Sequence, residues 1–438
     1  MNSLLIKLRA LNLAEPILVV GMGASGKVTL DLLREAGYEA FGVDEKFSER
    51  RVYQRNLDDQ SALHDAGTLI VSPGIDRRRV AFQHTYAPQL NDIELFARLC
   101  DKPVLAVTGS NGKSTVVTLL AEILNDLGKV TRLCGNIGYP ALSALFDEGY
   151  EQVEYYVLEL SSYQLELCPS LYPKVGAVLN VTPDHLDRYD DFQAYAAAKE
   201  HLVRQSQVAV LNADDQACAA MVESALNLML FGQSSSLPNR VDEGQLWVND
   251  VAVFDCRDLG ITGKHNESNA LCALLMLSVL GIQPNQAHPA LIRFKGLPHR
   301  VQTVAEHQGV RFIDDSKATN IGATQAALAG FNEPLILILG GVGKGQDFNE
   351  LAETLTQHPV KHILLIGKDN RDMESALQAH QLAYEVCGVM EMAVKRAKAL
   401  ATAGDIVLLS PATASFDQYS GYHERGNHFA YEAQQCSC

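Results

Sequence analysis

The chain alternates between two hydrophobic periodicities. Short, nearly continuous apolar runs are followed by a glycine-rich turn, and then by a stretch whose apolar positions recur at helical spacing. Segments 17–26, 104–115 and 335–345 show this most plainly. Unbroken apolar runs of this length fit strands buried on both faces of a parallel sheet. Further runs at 155–160, 175–180, 208–212, 362–367 and 405–410 repeat the strand-then-helix order. That order predicts an α/β fold with parallel sheets. The run 11–20 carries Glu15-Pro16 and leads straight into the first glycine turn, so it predicts a core strand and not a secretion signal. The stretch 270–282 is too short to span a bilayer, and no membrane span is expected.

Punctuation indicates where the chain divides. The helical pattern 92–99 precedes Pro103, which places the end of a first domain near residue 95. Ser234, Ser236, Pro238, Asn239 and Trp247 mark short strands and turns over 232–255, a small β insertion inside a middle domain. Gly296 and Pro298 break the pattern before it restarts. The expectation is three domains: a Rossmann-like one over 1–95, a central one over 96–298 with a parallel sheet, and a Rossmann-like one over 299–438. The length of 438 residues suits that number.

Composition narrows the chemistry. Hydrophobic residues make up 47% and charged residues 20% of the chain, which excludes wholesale disorder, collagen and coiled coil. The net charge of −16, from 52 acidic and 36 basic residues, repels nucleic-acid backbones and anionic lipid. Nucleic acid is therefore not an expected partner, and an anionic ligand has to be held by local groups. The nine cysteines are scattered singly except for Cys436 and Cys438, with no CxxC pair, as in a reduced cytoplasmic protein.

Three glycine turns carry candidate sites. Gly21-Met22-Gly23-Ala24-Ser25-Gly26 follows a strand and opens a helix, with Asp44 closing the next strand. This is a dinucleotide-type turn, compatible with a bound nucleotide diphosphate or with a tight turn alone. Ser72-Pro73-Gly74 ends a later strand at what is expected to be the same sheet edge. Thr108-Gly109-Ser110-Asn111-Gly112-Lys113-Ser114-Thr115 is a P-loop, although Val107 stands where the general motif has its first glycine. Its backbone amides cradle phosphates, Lys113 reaches the β and γ oxygens, and Ser114 or Thr115 can ligate Mg²⁺. Gly340-Gly341-Val342-Gly343-Lys344-Gly345 lacks the metal-binding hydroxyl and presents one cation, Lys344.

Polar residues collect at other strand ends. Glu159 closes an apolar run, where a carboxylate needs a partner or a metal. His185 sits among Asp184, Asp187 and Arg188, a setting that fits a metal or substrate contact. Lys199 lies in an Ala-rich helix and reads by composition as a solvated lysine. Lys264-His265-Asn266, with Asn269, leads into an amphipathic helix. His299-Arg300 follows the break at 298, and Asp314-Asp315-Ser316-Lys317-Ala318-Thr319-Asn320 follows another strand.

Taken together, TGSNGKST, LELSSYQLE, NVTPDHLDRY, HNESNA, GLPHR, DDSKATNIGAT and LLSPATASFDQ resemble, in order along essentially the whole chain, the ATP-dependent Mur ligases of bacterial peptidoglycan synthesis. GMGASG, the SPG turn and DSKATN are most similar to the D-glutamate-adding branch. The resemblance implies an N-terminal UDP-sugar domain, a central P-loop ATPase domain and a C-terminal amino-acid domain. It implies an acyl-phosphate route joining UDP-N-acetylmuramoyl-L-alanine to D-glutamate, in a cytoplasmic and monomeric enzyme.

By the same resemblance, Ala24, Ser25, Asp44, Glu45, Ser72, Gly74 and Asn136 contact the UDP-sugar. Gly109, Ser110, Asn111, Gly112, Lys113, Ser114 and Thr115 hold ATP, with Asn266, Asn269, Arg300 and Asp315 near the nucleotide. Ser114 and Glu159 ligate one Mg²⁺, while His185 and a carbamylated Lys199 serve a second. Lys317, Thr319, Lys344, Ser415 and Tyr422 bind D-glutamate. An NAD-dependent dehydrogenase would explain the first glycine turn but not TGSNGKST or DSKATN. An ATP-binding switch would explain the P-loop alone, and a folate-directed ligase would share TGSNGKST without DSKATN.

Overall fold

A computed structural model describes residues 3–46, 48, 51–185, 188–261, 263–343 and 346–435. The first sheet joins β1 (Ile17–Val20), β2 (Ala40–Asp44), β3 (Val52–Gln54), β4 (Thr68–Val71) and β5 (Gln89–Leu90) in the order β3-β2-β1-β4-β5, all parallel. The order reverses between β1 and β4, so the turns leaving their carboxyl ends flank a crevice, the usual ligand position in open α/β sheets.

The second sheet holds β6 (Val104–Thr108), β7 (Thr131–Gly135), β8 (Tyr155–Glu159), β9 (Val175–Val178), β10 (Ala209–Asn212) and β11 (Leu228–Phe231). Its order is β11-β10-β9-β6-β8-β7, again parallel throughout. β6 therefore lies between β8 and β9, and the segments that follow these three strands share one edge. Every residue of β6 is buried, as its uninterrupted VLAVT run requires. The expected β insertion is an antiparallel sheet of β12 (Arg240–Asp242), β13 (Gln245–Val248) and β14 (Val251–Asp255).

The fourth sheet contains β15 (Gln302–His307), β16 (Val310–Asp314), β17 (Leu335–Leu339), β18 (Val360–Ile366), β19 (Glu385–Gly388) and β20 (Ile406–Leu409), ordered β15-β16-β20-β17-β18-β19. β15 pairs antiparallel with β16, so a hairpin strand edges an otherwise parallel sheet. The architecture is α/β, as the alternating pattern indicates.

By compactness the chain forms two units: residues 1–181, 193–255 and 269–291 in the first, and 182–192, 256–268 and 292–438 in the second. In the first unit one apolar cluster runs from Ile17 and Val19 through the helix Asp92–Leu99 to Val104, Ala106, Tyr156 and Leu158. Phe96 meets Tyr156 edge-on, with ring centroids 5.2 Å apart. Two apolar layers, one on each face of the fourth sheet, serve the second unit.

The helix Lys264–Ser278 departs from the amphipathic expectation. Asn269 to Leu277 are buried without interruption, so this helix is enclosed on every side beyond its first turn. Among the described residues, no helix is long and apolar enough to cross a membrane.

Candidate active site

The P-loop occupies the edge where β6, β8 and β9 end. Gly112 adopts φ +85° and caps the helix Lys113–Asp126. A side chain there would also strike Asn269, whose Oδ1 lies 2.5 Å from the place a Cβ would take. Asn180, just beyond β9, pins the loop: its main-chain oxygen accepts from the Ser110 amide at 2.9 Å, and its Oδ1 accepts from the Asn111 amide at 2.8 Å. Lys113 Nζ donates to the carbonyls of Gly109 and Ser110 at 2.7 and 2.8 Å, which holds the ammonium at the loop. Thr115 lies in the first turn of the same helix and is buried.

Glu159 ends β8 and is only 3% exposed. Ser114 Oγ donates to its Oε2 at 2.6 Å and Asn136 Nδ2 to its Oε1 at 2.9 Å. A hydroxyl and a carboxylate beside a phosphate loop are hard oxygen donors, a set that fits Mg²⁺. Among the described residues, no group of three or more His, Cys, Asp or Glu side chains converges to hold a metal. Mg²⁺ is usually held by one or two protein oxygens together with phosphate and water, which Ser114 and Glu159 suit. Asn136, assigned by resemblance to the sugar, is placed by the structure on Glu159.

Lys199 corrects the reading from composition. It is not solvated: it is 2% exposed, its Nζ donates to the Gly109 carbonyl at 3.1 Å, and it lies 4.6 Å from the centre of the Tyr195 ring. The Tyr195 hydroxyl in turn shares a hydrogen bond with Ser110 Oγ at 2.9 Å.

Around the first glycine turn, Ser72 Oγ donates to the Gly21 carbonyl at 2.7 Å, tying the ends of β4 and β1 together. Asp44 Oδ2 accepts from the Met22 amide at 3.0 Å. A side chain at Gly26 would come within 2.0 Å of the Gly21 carbonyl, so the helix can approach the turn this closely only with glycine there. Ala24 and Ser25 stand in the first turn of the helix Ala24–Glu35. Glu45 is gripped by both terminal nitrogens of Arg79 at 2.7 and 2.8 Å, which holds its carboxyl below the usual range. Gly74 is exposed in the turn after β4.

The second unit gathers its own polar cluster. His185, at φ +58°, has its amide bonded to Asp184 Oδ1 at 2.9 Å, and Asp184 Oδ2 accepts from Asn320 Nδ2 at 3.0 Å. Asp315 is buried beyond β16 and accepts from Ser410 Oγ at 2.8 Å. Burial pushes its carboxyl up to about 7, against the opposing effects of Ser410 and Arg300. Burial, with Arg300 nearby, pulls His265 down to about 4. Asn266 sits in the first turn of the same helix, its amide bonded to the Gly263 carbonyl at 2.8 Å.

Lys317 Nζ lies 3.9 Å from the centre of the Tyr422 ring, and Ser316 Oγ donates to the Tyr422 carbonyl at 2.9 Å. Thr319 is partly buried and Ser415 fully so. Lys344 falls outside the described residues, as do Cys436 and Cys438. A cavity of about 270 Å³ opens at the carboxyl ends of β17 and β18, next to Gly341 and Gln346.

Some supporting residues carried no signal that the motifs revealed. Asn180 and Asp184 lie inside NVTPDHLDRY but anchor neighbours. Arg425, 1% exposed, ties Ser316 to Thr413 through bonds of 2.8–3.0 Å, and nothing in its helical surroundings marks it. The unit division places Lys113, Glu159 and Lys199 in the first unit and His185, Asp315 and Lys317 in the second.

Residues 107–277 match the Mur ligase middle domain, and residues 299–413 match the Mur ligase glutamate ligase domain. The UDP-N-acetylmuramoylalanine–D-glutamate ligase of Alcanivorax borkumensis is 41% identical over 439 residues, covering 95% of this chain and 98% of that protein. The ligase of the same name from Methylobacillus flagellatus is 43% identical over 381 residues, covering 84% of this chain and 83% of that protein. Among solved structures, the MurF ligase of Thermotoga maritima in complex with ADP superposes with a TM-score of 0.64 at 19% identity, covering 99% of both chains. The UDP-N-acetylmuramate–alanine ligase of the same organism gives 0.60 at 16%, covering 95% of this chain and 99% of that one. At such identities the two structures speak to the fold alone.

Proposed function

This chain belongs to the Mur ligase family, and from that premise we propose that it is the ATP-dependent ligase that joins D-glutamate to UDP-N-acetylmuramoyl-L-alanine in peptidoglycan synthesis. The observation that carries the reading is the meeting of the P-loop, Glu159 and Lys199 at one sheet edge. The proposed domains are 1–95 for the UDP-sugar, 96–298 for ATP and 299–438 for the amino acid, in a monomer of the bacterial cytoplasm.

A carboxylate oxygen does not leave at neutral pH, so amide formation needs activation. Transfer of the γ-phosphoryl group of ATP to the L-alanine carboxylate gives an acyl phosphate. The D-glutamate amine attacks its carbonyl carbon, phosphate leaves with the C–O bond electrons, and the ammonium sheds a proton. Phosphoryl transfer depends mainly on positioning and electrostatic stabilisation. In this reading the amides of residues 109–115 and Lys113 grip the triphosphate, and Asn180 keeps the loop in shape.

Ser114 and Glu159 would hold one Mg²⁺, with Asn136 orienting Glu159, and His185 with Lys199 would hold a second. When bound, these ions neutralise charge developing on the phosphoryl oxygens. An ammonium cannot ligate a metal, so we read Lys199 as carbamylated, its two anionic oxygens suited to a hard cation. Asn266, Asn269, Arg300 and Asp315 would serve the nucleotide. Lys317, Thr319, Lys344, Ser415 and Tyr422 would serve D-glutamate, and Ala24, Ser25, Asp44, Glu45, Ser72, Gly74 and Asn136 the UDP-sugar.

The test is phosphate release with UDP-N-acetylmuramoyl-L-alanine and a panel of amino acids, beside a folate substrate with L-glutamate. Release that requires the UDP-sugar and D-glutamate together supports the reading. Release with the folate pair, or without any acceptor, overturns it.

A further inference from the structure

The helix Tyr422–Gln434 opens with two rings in succession. Tyr422 and His423 stack, with centroids 3.9 Å apart and planes inclined by 33°. His299 meets both rings edge-on, at 6.2 Å from Tyr422 and 5.3 Å from His423. Lys317, on the turn after β16, brings its Nζ to 3.9 Å from the Tyr422 centroid. Beneath the rings lies a buried pair, His299 Nδ1 and Asp314 Oδ2, 2.7 Å apart. A side chain at Gly426 would strike both members, so glycine there lets the helix come this close to the pair.

Most polar side chains around the stack are committed. Asp314 also accepts from the Ser316 amide at 2.9 Å, and Arg425 is bonded to Ser316 and to the Thr413 carbonyl. His423 differs: it is exposed, and its ring nitrogens make no hydrogen bond among the described residues. D-Glutamate brings two carboxylates to a chain of net charge −16, and among the described residues proposed for it Lys317 alone is cationic. We propose that His423 is a further binding residue for the amino acid, its imidazolium pairing with one carboxylate beside Lys317 and Tyr422. This rests on the D-glutamate site proposed above.

The neighbours of His423 decide when that charge is present. Partial burial first, then His299 and Lys317, lower it below an ordinary histidine, so in the free enzyme the ring is neutral near neutral pH. A carboxylate set against the ring acts in the opposite sense, and the imidazole takes a proton from solvent as the amino acid binds. Affinity is therefore highest where the free ring is already protonated. It falls as pH rises from the free value to the bound one, and is lowest above both.

The charged groups on the elements packed around His423 have partners of their own. On the same helix, Glu424 accepts from the Ser420 amide and hydroxyl at 2.8 Å each, and Arg425 is bonded as above. Before β15 stands His299, tied to Asp314 at the end of β16. Lys317 follows β16 and faces the Tyr422 ring. Asp315, raised to about 7, titrates in the same range but is common to every variant compared below.

The test is KM for D-glutamate, from phosphate release at saturating ATP, Mg²⁺ and UDP-sugar, between mildly acidic and mildly alkaline pH. The enzymes compared are the wild type, His423→Gln, His423→Arg and Lys317→Ala. Both carboxylates of D-glutamate stay ionised over this range. In the wild type KM is expected to rise about three- to fivefold toward alkaline pH, the scale of an exposed ion pair. His423→Gln keeps a donor but cannot charge, so it holds the alkaline wild-type KM throughout, while His423→Arg holds the acidic one. Loss of ring packing alone would shift KM equally at every pH. In histidine-labelled protein with UDP-sugar and ADP, D-glutamate is expected to raise the NMR titration midpoint of the imidazole that His423→Gln removes, by about half a pH unit.

A wild-type pH profile in His423→Gln, or a midpoint that D-glutamate leaves unmoved, overturns the role of His423 while leaving the amino-acid site in place. An unchanged KM for D-glutamate in Lys317→Ala overturns that site and the role of His423 with it.

Discussion

Asn136→Ala separates two roles for one residue. By resemblance Asn136 touches the UDP-sugar, yet its Nδ2 lies 2.9 Å from Glu159 Oε1, at the carboxylate suited to Mg²⁺. Removing the amide leaves Glu159 with the Ser114 bond of 2.6 Å and one released oxygen in a side chain that is 3% exposed. A hydrogen bond to a charged group contributes about 1.5–3 kcal/mol when fully buried. Asn136 itself is exposed, so water replaces part of that bond, and we expect a stability loss of about 1 kcal/mol. The functional effect is larger, because loss of a group that orients a metal ligand typically weakens metal affinity about 10–100-fold. The assay is phosphate release titrated with Mg²⁺ at saturating substrates, beside urea unfolding of the same variant. The Mg²⁺ activation constant is expected to rise at least about tenfold, more than any change in KM for the UDP-sugar. An unchanged Mg²⁺ dependence with a raised KM for the UDP-sugar would refute a metal-positioning role and leave Asn136 with the sugar alone.

Two further outcomes follow from single positions. Gly112→Ala places a side chain at φ +85° and 2.5 Å from Asn269 Oδ1, so it should cost about 1–3 kcal/mol in thermal unfolding and abolish nucleotide binding. Wild-type affinity for ATP in that variant would mean the loop tolerates a different shape. Asp315, raised to about 7 from 3.8, binds its proton more tightly in the folded state than in the unfolded chain. Its contribution is therefore fully present below pH 4 and lost as pH climbs toward 7, by at most about 4 kcal/mol. Relative to the wild type, Asp315→Asn should gain stability in denaturant titrations as pH is raised across that window. A difference independent of pH would show that Asp315 is not held protonated.

What the sequence disclosed follows from how local each determinant is. The runs ILVV, VLAVT and LILIL became β1, β6 and β17 because strands buried on both faces must be apolar throughout. The P-loop and Glu159 were legible for a related reason: glycines, a lysine and an acid at strand ends have few structural explanations. Edge strands were not legible. β7 (TRLCG) and β15 (QTVAEH) carry mixed residues, and only their pairing with β8 and β16 makes them strands. Lys199 reads as solvated because its surroundings in sequence are alanines, whereas what buries it is Tyr195 one turn earlier and Gly109 on another element. The helix Lys264–Ser278 misled in the opposite direction, its polar first turn giving way to a segment enclosed on all sides. Arg425 was invisible for want of any motif, since its partners Ser316 and Thr413 are distant in the chain.

The central claim is that the turn at 109–115, tipped by Lys113, holds a triphosphate whose terminal group is passed to a substrate carboxylate. Its most direct test is phosphate release by Lys113→Ala with ATP, Mg²⁺, UDP-N-acetylmuramoyl-L-alanine and D-glutamate, on protein shown to unfold as cooperatively as the wild type. The account predicts a fall of at least about a thousandfold, the scale of losing one preorganised charge on a transferring phosphoryl group. Turnover near the wild-type rate would contradict it.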